Sequence, residues 1–138
     1  MQDTAYLIGQ LLKISDELHA LYCEIKRNGD VPPQLAGNSV FVMASETPAQ
    51  ALAMLGTRMN PYIAWADQYR RQDEEKSGLV SWYKRQYSVL MPQLHQKLSD
   101  NIRFNDMEKA QLFIGYLADL PKLTSKKSSE QEESTDGK

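Results

Sequence analysis

Apolar residues recur at three- and four-residue steps along most of this chain, which is typical of helices that bury one face. The first such stretch carries its apolar and aromatic residues at Tyr6, Leu7, Leu11, Ile14, Leu18, Leu21, Tyr22 and Ile25. Asp3 or Thr4 is placed to cap the start of this helix. Lys26 and Arg27 lie where the helix dipole favours cations, and Asn28-Gly29 follows as a stop signal. We therefore expect the first helix to end there.

Two helix starts are predicted next. The short apolar stretch NSVFVMA, Asn38 to Ala44, has β-branched residues but no second strand to pair with, so a short helix is favoured. Thr47 with Gln50 three residues later forms a capping-box pattern, and Pro48 falls at the first helical position. We expect this third helix to run into the early seventies.

Two prolines and a glycine are expected to interrupt the pattern. A proline in a helix interior removes a hydrogen bond and costs about 3 kcal/mol, so Pro61 predicts a kink or a break near Asn60. Gly78 predicts a turn, with a fourth helix starting at Leu79 that Pro92 bends or splits. The apolar face of that helix carries Tyr83, Tyr87, Leu90, Leu94 and Leu98.

The last helix is predicted from Asn105 as its cap, with Glu108 three residues later. It is expected to bury Leu112, Phe113 and Tyr116, and Gly115 is expected to let another backbone approach closely. Taken together, the pattern predicts one all-α bundle of about five helices over residues 1–121. Residues 122–138 are charged and contain a single large aliphatic residue, so we expect a disordered tail.

Composition narrows the class of protein. The chain has 138 residues, a net charge of −2 and one cysteine, Cys23. No apolar run reaches the roughly 18 to 20 residues that cross a bilayer, and the N-terminal residues lack the basic region of a secretory signal. A single cysteine fits a reducing cytoplasm. The acidic balance, with a pI of about 5.7, argues against an autonomous nucleic-acid binder but leaves room for a local basic face.

The sequence contains few residues arranged for metal binding or catalysis. His19 and Cys23 stand four residues apart on one helix face, which is the right separation for two metal ligands. A closed structural zinc site needs four ligands, and the chain has one other histidine, His95, and no second cysteine. A buried histidine beside a buried thiol is the favoured interpretation. No phosphate loop, nucleophile elbow or metalloprotease pattern occurs, so we expect no catalytic residues, no metal and no cofactor.

The stretch from residue 58 to residue 87 mixes cations with aromatic residues. Its candidate nucleic-acid-binding residues are Arg58, Arg70, Arg71, Lys84 and Arg85, and Lys76 adds a sixth cation. Its aromatic residues are Tyr62, Trp65, Tyr69, Trp82, Tyr83 and Tyr87. Cations can follow phosphates while aromatic faces stack on bases. The alternative is that most of these aromatics belong to the core, and that Asp67 pairs with Arg71 one turn later on the helix.

Three stretches carry a family resemblance: YLIGQLL (Tyr6 to Leu12), SETPAQ (Ser45 to Gln50) and EKAQLFIGYL (Glu108 to Leu117). In this order and spacing they resemble the helical C-terminal region of the large subunit of subtype I-C CRISPR surveillance (Cascade) complexes. That family also produces the same region separately as the small subunit of the complex. The similarity spans about positions 5 to 118. Gln10 departs from it, because a basic residue is common at that place.

The resemblance implies a non-catalytic small subunit that packs along the repeated backbone subunits and stabilises the R-loop through the displaced non-target DNA strand. Its implied partners are the backbone and large subunits, the R-loop of guide RNA and target DNA, and further copies of this chain, with no membrane. Two alternatives stay open. One is a purely structural helical adaptor between proteins, and the other is a small all-α enzyme or ligand-binding bundle.

Overall fold

The computed structural model describes residues 1–26, 37–69 and 74–120, with side chains from residue 40 in the second range and from residue 77 in the third. These ranges contain α-helices and no strand, which confirms the all-α prediction. The helices are α1 (Gln2–Lys26), α2 (Gly37–Glu46), α3 (Pro48–Gln68), α4 (Glu74–Lys97) and α5 (Asp106–Leu117). The predicted stop at Asn28-Gly29 and the predicted tail at 122–138 lie outside the described residues.

Helix α1 is the centre of the bundle. It packs against α5 and α4 most extensively, and also against α3 and α2. Ile8, Leu11, Leu12 and Leu18 are at most 1 % exposed. Ile8 and Leu12 are absent from the predicted stripe, whereas Tyr6, which belongs to it, is only half-buried. A helix surrounded by others buries more than one stripe, and the single-face pattern underestimated this.

The predicted short helix α2 is confirmed, but the capping box at Thr47 is wrong. Pro48 does occupy the first turn of α3, while the Thr47 side chain makes no capping bond. Its hydroxyl turns back to the carbonyl of Met43 at 3.4 Å. The Gln50 amide instead donates to the carbonyl of Asp100 at 3.3 Å. Gln50 therefore links two parts of the chain that are distant in sequence and does not cap its own helix.

Prolines and Gly78 do not break the helices. Helix α3 continues through Pro61 and ends at Gln68, short of the predicted early seventies. Helix α4 begins at Glu74, so Gly78 lies within it and not in a turn, and it also continues through Pro92. Both proline rings are exposed, and buried Met59 and Met91 lie close to them in sequence. Packing on either side of each proline offsets the missing hydrogen bond.

Helix α5 starts as predicted. The Asn105 side chain accepts a hydrogen bond from the Glu108 backbone at 2.8 Å. The Glu108 carboxylate accepts one from the Asn105 backbone at 2.8 Å. Leu112 is fully buried, but Phe113 is 52 % exposed, so the prediction that Phe113 is buried is wrong. Phe113 points away from α1, and its ring meets the ring of Phe41 on α2 at 5.9 Å.

Side-chain hydrogen bonds join the first helix, α1, to the last helix, α5, and to the residue after it. The side chain of Gln10, 6 % exposed, donates to the carbonyl of Gly115 at the end of α5. Lys13 donates to the carbonyl of Ala118 at 2.8 Å. The Tyr116 hydroxyl donates to the Asp16 carboxylate at 2.5 Å. Burial and this bond to a carboxylate raise the pKa of Tyr116 above its usual value.

In the part of the chain that the structure describes, no helix combines the length and the apolar character needed to cross a bilayer.

Candidate nucleic-acid interface

A cleft of about 240 Å³ lies where the end of α3 meets the first half of α4. It is open to solvent and is lined by Ala66, Asp67, Tyr69, Ser81, Lys84 and Arg85. Two of the five predicted site residues, Lys84 and Arg85, therefore share one concave surface. They are consecutive on α4, so their side chains point about 100° apart, yet both border the cleft, with Arg85 exposed and Lys84 half-buried. Arg70 and Arg71, two further predicted site residues, lie outside the described residues.

Arg58 is not brought to this cleft. It lies on α3 nine residues before Asp67, which is about 900° of helix rotation and so half a turn out of phase. Gly56 faces α4, because a Cβ built at Gly56 would lie 4.0 Å from the methyl group of Met91. Arg58 lies two residues further along α3 and points to another side. Of the three predicted site cations that the structure describes, Arg58 therefore lies apart from the surface that Lys84 and Arg85 share.

Asp67 pairs with a cation from the neighbouring helix. Its carboxylate is 2.7 Å from the ammonium of Lys84, and the two side chains are 53 % and 33 % exposed. The sequence predicted Arg71 as the partner of Asp67, and Arg71 lies outside the described residues. A pair this exposed contributes about 0–1 kcal/mol to stability. Lys84 can therefore exchange its carboxylate partner for another anion at little cost.

Most of the aromatic residues in the segment pack against the core, as the alternative interpretation predicted. Tyr87 is 7 % exposed. Tyr62 and Trp65 form edge-to-face contacts with Tyr22 on α1, with ring centroids 5.0 and 5.2 Å apart. Burial raises the pKa of Tyr87 to about 12. The Tyr87 ring cannot stack on a base without leaving the core, and stacking by Tyr62 or Trp65 would compete with their contacts to Tyr22.

Tyr69 and Trp82 are half-buried like Tyr62 and Trp65, and Tyr69 also packs against the core. Tyr69 is half-buried, lines the cleft and leans on Trp65 with ring centroids 5.2 Å apart. Trp82 is half-buried on α4 and packs edge-to-face against Tyr83 at 5.1 Å. Burial, with a smaller effect of the Glu17 charge, raises the pKa of Tyr83. Of the six aromatics, Tyr69 is the one that lines the cleft beside Lys84 and Arg85.

His19 and Cys23 are both buried, at 4 % and 0 % exposure. Their ring nitrogen and sulfur lie 3.8 Å apart. The ring of His19 also meets that of Tyr62 edge-on at 4.8 Å. Among the described residues, no three histidine, cysteine or acidic side chains are grouped so that they could hold a metal ion. The arrangement agrees with a histidine and a thiol packed together in the core.

Sequence reasoning missed a second surface, the outer side of α5. Leu112 and Gly115 face the core, while four apolar residues on the other side are about half exposed or more. They are Met107 at 64 %, Phe113 at 52 %, Ile114 at 48 % and Leu117 at 59 %. The sequence contains a signal for this surface: α5 carries apolar residues on all of its sides, whereas a surface helix normally carries them on one buried face. Exposed apolar patches of this kind mark protein interaction sites.

The chain was compared with protein families, with curated proteins and with solved structures, and none of the three comparisons finds a match.

Proposed function

We propose that this chain is a non-catalytic, cytoplasmic small subunit of a CRISPR RNA-guided surveillance (Cascade) complex. In this role it packs along the backbone subunits and stabilises the R-loop through contacts with the displaced non-target DNA strand. The observation that carries the proposal is the grouping of Lys84 and Arg85 with Tyr69 and Ser81 around one open cleft. The resemblance of three ordered stretches supplies the biological setting.

The cleft suits a strand better than a small molecule. Its volume of about 240 Å³ is below the roughly 300–1,000 Å³ of ligand pockets that enclose a drug-sized molecule. Two adjacent cations can meet one or two phosphates, a serine hydroxyl can donate to a phosphate oxygen, and an aromatic edge can contact a sugar or base. The contact set is small, so binding by the isolated chain is weak.

Assembly into a complex compensates for the small number of contacts that the cleft can make with a strand. The outer face of α5, formed by Met107, Phe113, Ile114 and Leu117, offers an apolar surface to partner subunits. Once the chain is held in a complex, the strand meets the cleft at high effective concentration, and weak contacts become sufficient. An acidic protein with a local cationic cleft is compatible with this arrangement.

A second candidate is a purely structural helical adaptor. Two observations favour it: the exposed apolar face of α5, and the fact that Lys84 already has Asp67 as its anion. Under this hypothesis the cleft cations are ordinary surface charges, and replacing them changes no nucleic-acid contact.

The deciding experiment uses the assembled complex with its guide RNA. Lys84→Ala with Arg85→Ala is compared with Lys97→Ala, which removes an exposed cation about 20 Å further along α4. We expect the double variant to weaken capture of duplex target and to lower the salt slope of binding by about two units, whereas Lys97→Ala leaves both unchanged. A target that is already single-stranded has no displaced strand, so its binding should hardly change.

Assembly of each variant is checked by its size in solution. If the assembled double variant captures duplex target as wild type does at every salt concentration, the proposed contact is wrong. A loss of assembly with unchanged salt dependence would support the adaptor instead.

A further inference from the structure

We infer that Asp67 tunes the α3–α4 cleft by holding Lys84 as its own counter-ion, so that the affinity of the cleft for free nucleic acid is lowered several-fold. This inference rests on the proposed function. It assigns a role to Asp67, whose negative charge repels a nucleic-acid strand. Asp67 lines the same cleft as Lys84 and Arg85, and its carboxylate is 2.7 Å from the Lys84 ammonium.

The carboxylate acts in two ways on an incoming phosphate. It must first be displaced from Lys84, and it then repels the phosphate that takes its place. Asp67 belongs to α3 and Lys84 to α4, so the bundle keeps the carboxylate near the cleft after the pair separates. For exposed pairs of this kind the first effect is at most about fivefold in binding.

A several-fold loss of affinity has different consequences for a free strand and for a strand held by the complex. A free strand in solution has nothing to offset the penalty, so the isolated chain binds nucleic acid poorly. A strand presented by an assembly at high effective concentration overcomes a several-fold penalty easily. The penalty is the same for both strands, and the difference arises because the effective concentration that offsets it is high for the presented strand alone.

The chain contains a matched control. Glu46 on α2 pairs with Lys109 on α5 at 2.8 Å, with side chains 56 % and 36 % exposed. This pair closely resembles Asp67 with Lys84, at 2.7 Å with 53 % and 33 % exposed, but it does not line the cleft. Glu46→Gln therefore changes the net charge by the same amount as Asp67→Asn and releases a lysine elsewhere.

The test measures binding of the full-length chain to a labelled single-stranded oligonucleotide across a salt series. Asp67→Asn is expected to bind about three- to tenfold more tightly than wild type at low salt, with a salt slope larger by about one unit. Glu46→Gln should stay within about twofold of wild type, as expected for a change in net charge alone. Adding Lys84→Ala to Asp67→Asn should remove the gain. Melting temperatures confirm that each variant is folded.

Two outcomes separate the inference from the function on which it rests. If Lys84→Ala weakens binding in the assembled complex but Asp67→Asn binds no better than Glu46→Gln, the role of Asp67 is wrong and the cleft stands. If neither Lys84→Ala nor Arg85→Ala affects duplex capture by the assembled complex, both are wrong. An Asp67→Asn chain whose gain survives Lys84→Ala would also overturn the inference, because the gain would not act through Lys84.

Discussion

Gly9 and Gly115 hold the backbones of α1 and α5 in direct contact. A Cβ added at Gly9 would meet the carbonyl oxygen of Leu112 and lie 2.6 Å from the backbone nitrogen of Tyr116. A Cβ added at Gly115 would meet the carbonyl of Tyr6 and lie 2.9 Å from its carbon. The predicted close approach at Gly115 is thus confirmed, and Gly9 is its unpredicted counterpart on the opposing helix.

The first prediction concerns Gly9. Gly9→Ala should destabilise the protein by about 3 kcal/mol or more, because the new methyl group meets backbone atoms that cannot rotate away. Gly78→Ala is the control: it lies within α4, and its Cβ would have nothing within 4 Å. That change should stabilise the helix by about 0.5–1 kcal/mol. Urea midpoints measure both, and a Gly9→Ala midpoint equal to wild type would contradict the close contact.

The second prediction compares two capping patterns. Asn105→Ala should cost about 1 kcal/mol, because it removes the bond that the Asn105 side chain accepts from the Glu108 backbone. Thr47→Ala should cost less than about 0.5 kcal/mol, because Thr47 makes no side-chain capping bond. Chemical denaturation of the two variants ranks the costs. Equal costs would mean that the Thr47 pattern forms a cap after all.

The third prediction separates neighbours on α5. Leu112 is fully buried whereas Phe113 is 52 % exposed. Leu112→Ala should therefore destabilise by about 2–5 kcal/mol. Phe113→Ala should cost less than about 1 kcal/mol, since it loses mainly an edge contact with Phe41. Thermal unfolding tests this order, and a Phe113 variant as unstable as the Leu112 variant would place Phe113 in the core.

The fourth prediction concerns alkaline pH. Burial raises the pKa of Tyr87 to about 12, from an ordinary value of about 10. The folded protein holds this proton more tightly than the unfolded chain, so the stability that Tyr87 contributes is complete below pH 10 and is lost as the pH rises towards 12. Wild type should therefore lose more stability than Tyr87→Phe between pH 10 and pH 12.

Unfolding free energies of both proteins, measured from pH 8 to pH 12, test that difference. Below pH 10 the two curves should run parallel, because the tyrosine is neutral in both the folded and the unfolded state. Curves that stay parallel up to pH 12 would show that Tyr87 ionises in the folded protein as it does in water.

Sequence alone determined the helices and part of their boundaries. Periodicity and cap chemistry are local properties, since a capping box needs residues three apart and an amphipathic face needs neighbours one turn apart. For this reason the stretch from Asn38 to Ala44 and the cap formed by Asn105 and Glu108 could be predicted before any tertiary contact was known.

Tertiary structure decided which local pattern was used and which residues meet. Thr47 carries the same capping pattern as Asn105, but its hydroxyl turns back to Met43 and Gln50 reaches Asp100. Pro61 costs the same in any helix interior, yet α3 continues because the packing on both sides of it holds the helix. Local preferences of about 1–3 kcal/mol are small enough for packing to override them.

The candidate site shows the same division. Aromatic and basic residues could be listed from the sequence, but their spacing along the chain did not tell which of them share a surface. Asp67 meets Lys84 because two separate helices cross there, and Arg58 points elsewhere because half a turn of α3 separates it from Asp67. Pairing across helices depends on how the helices pack against α1, and that packing is a property of the whole bundle.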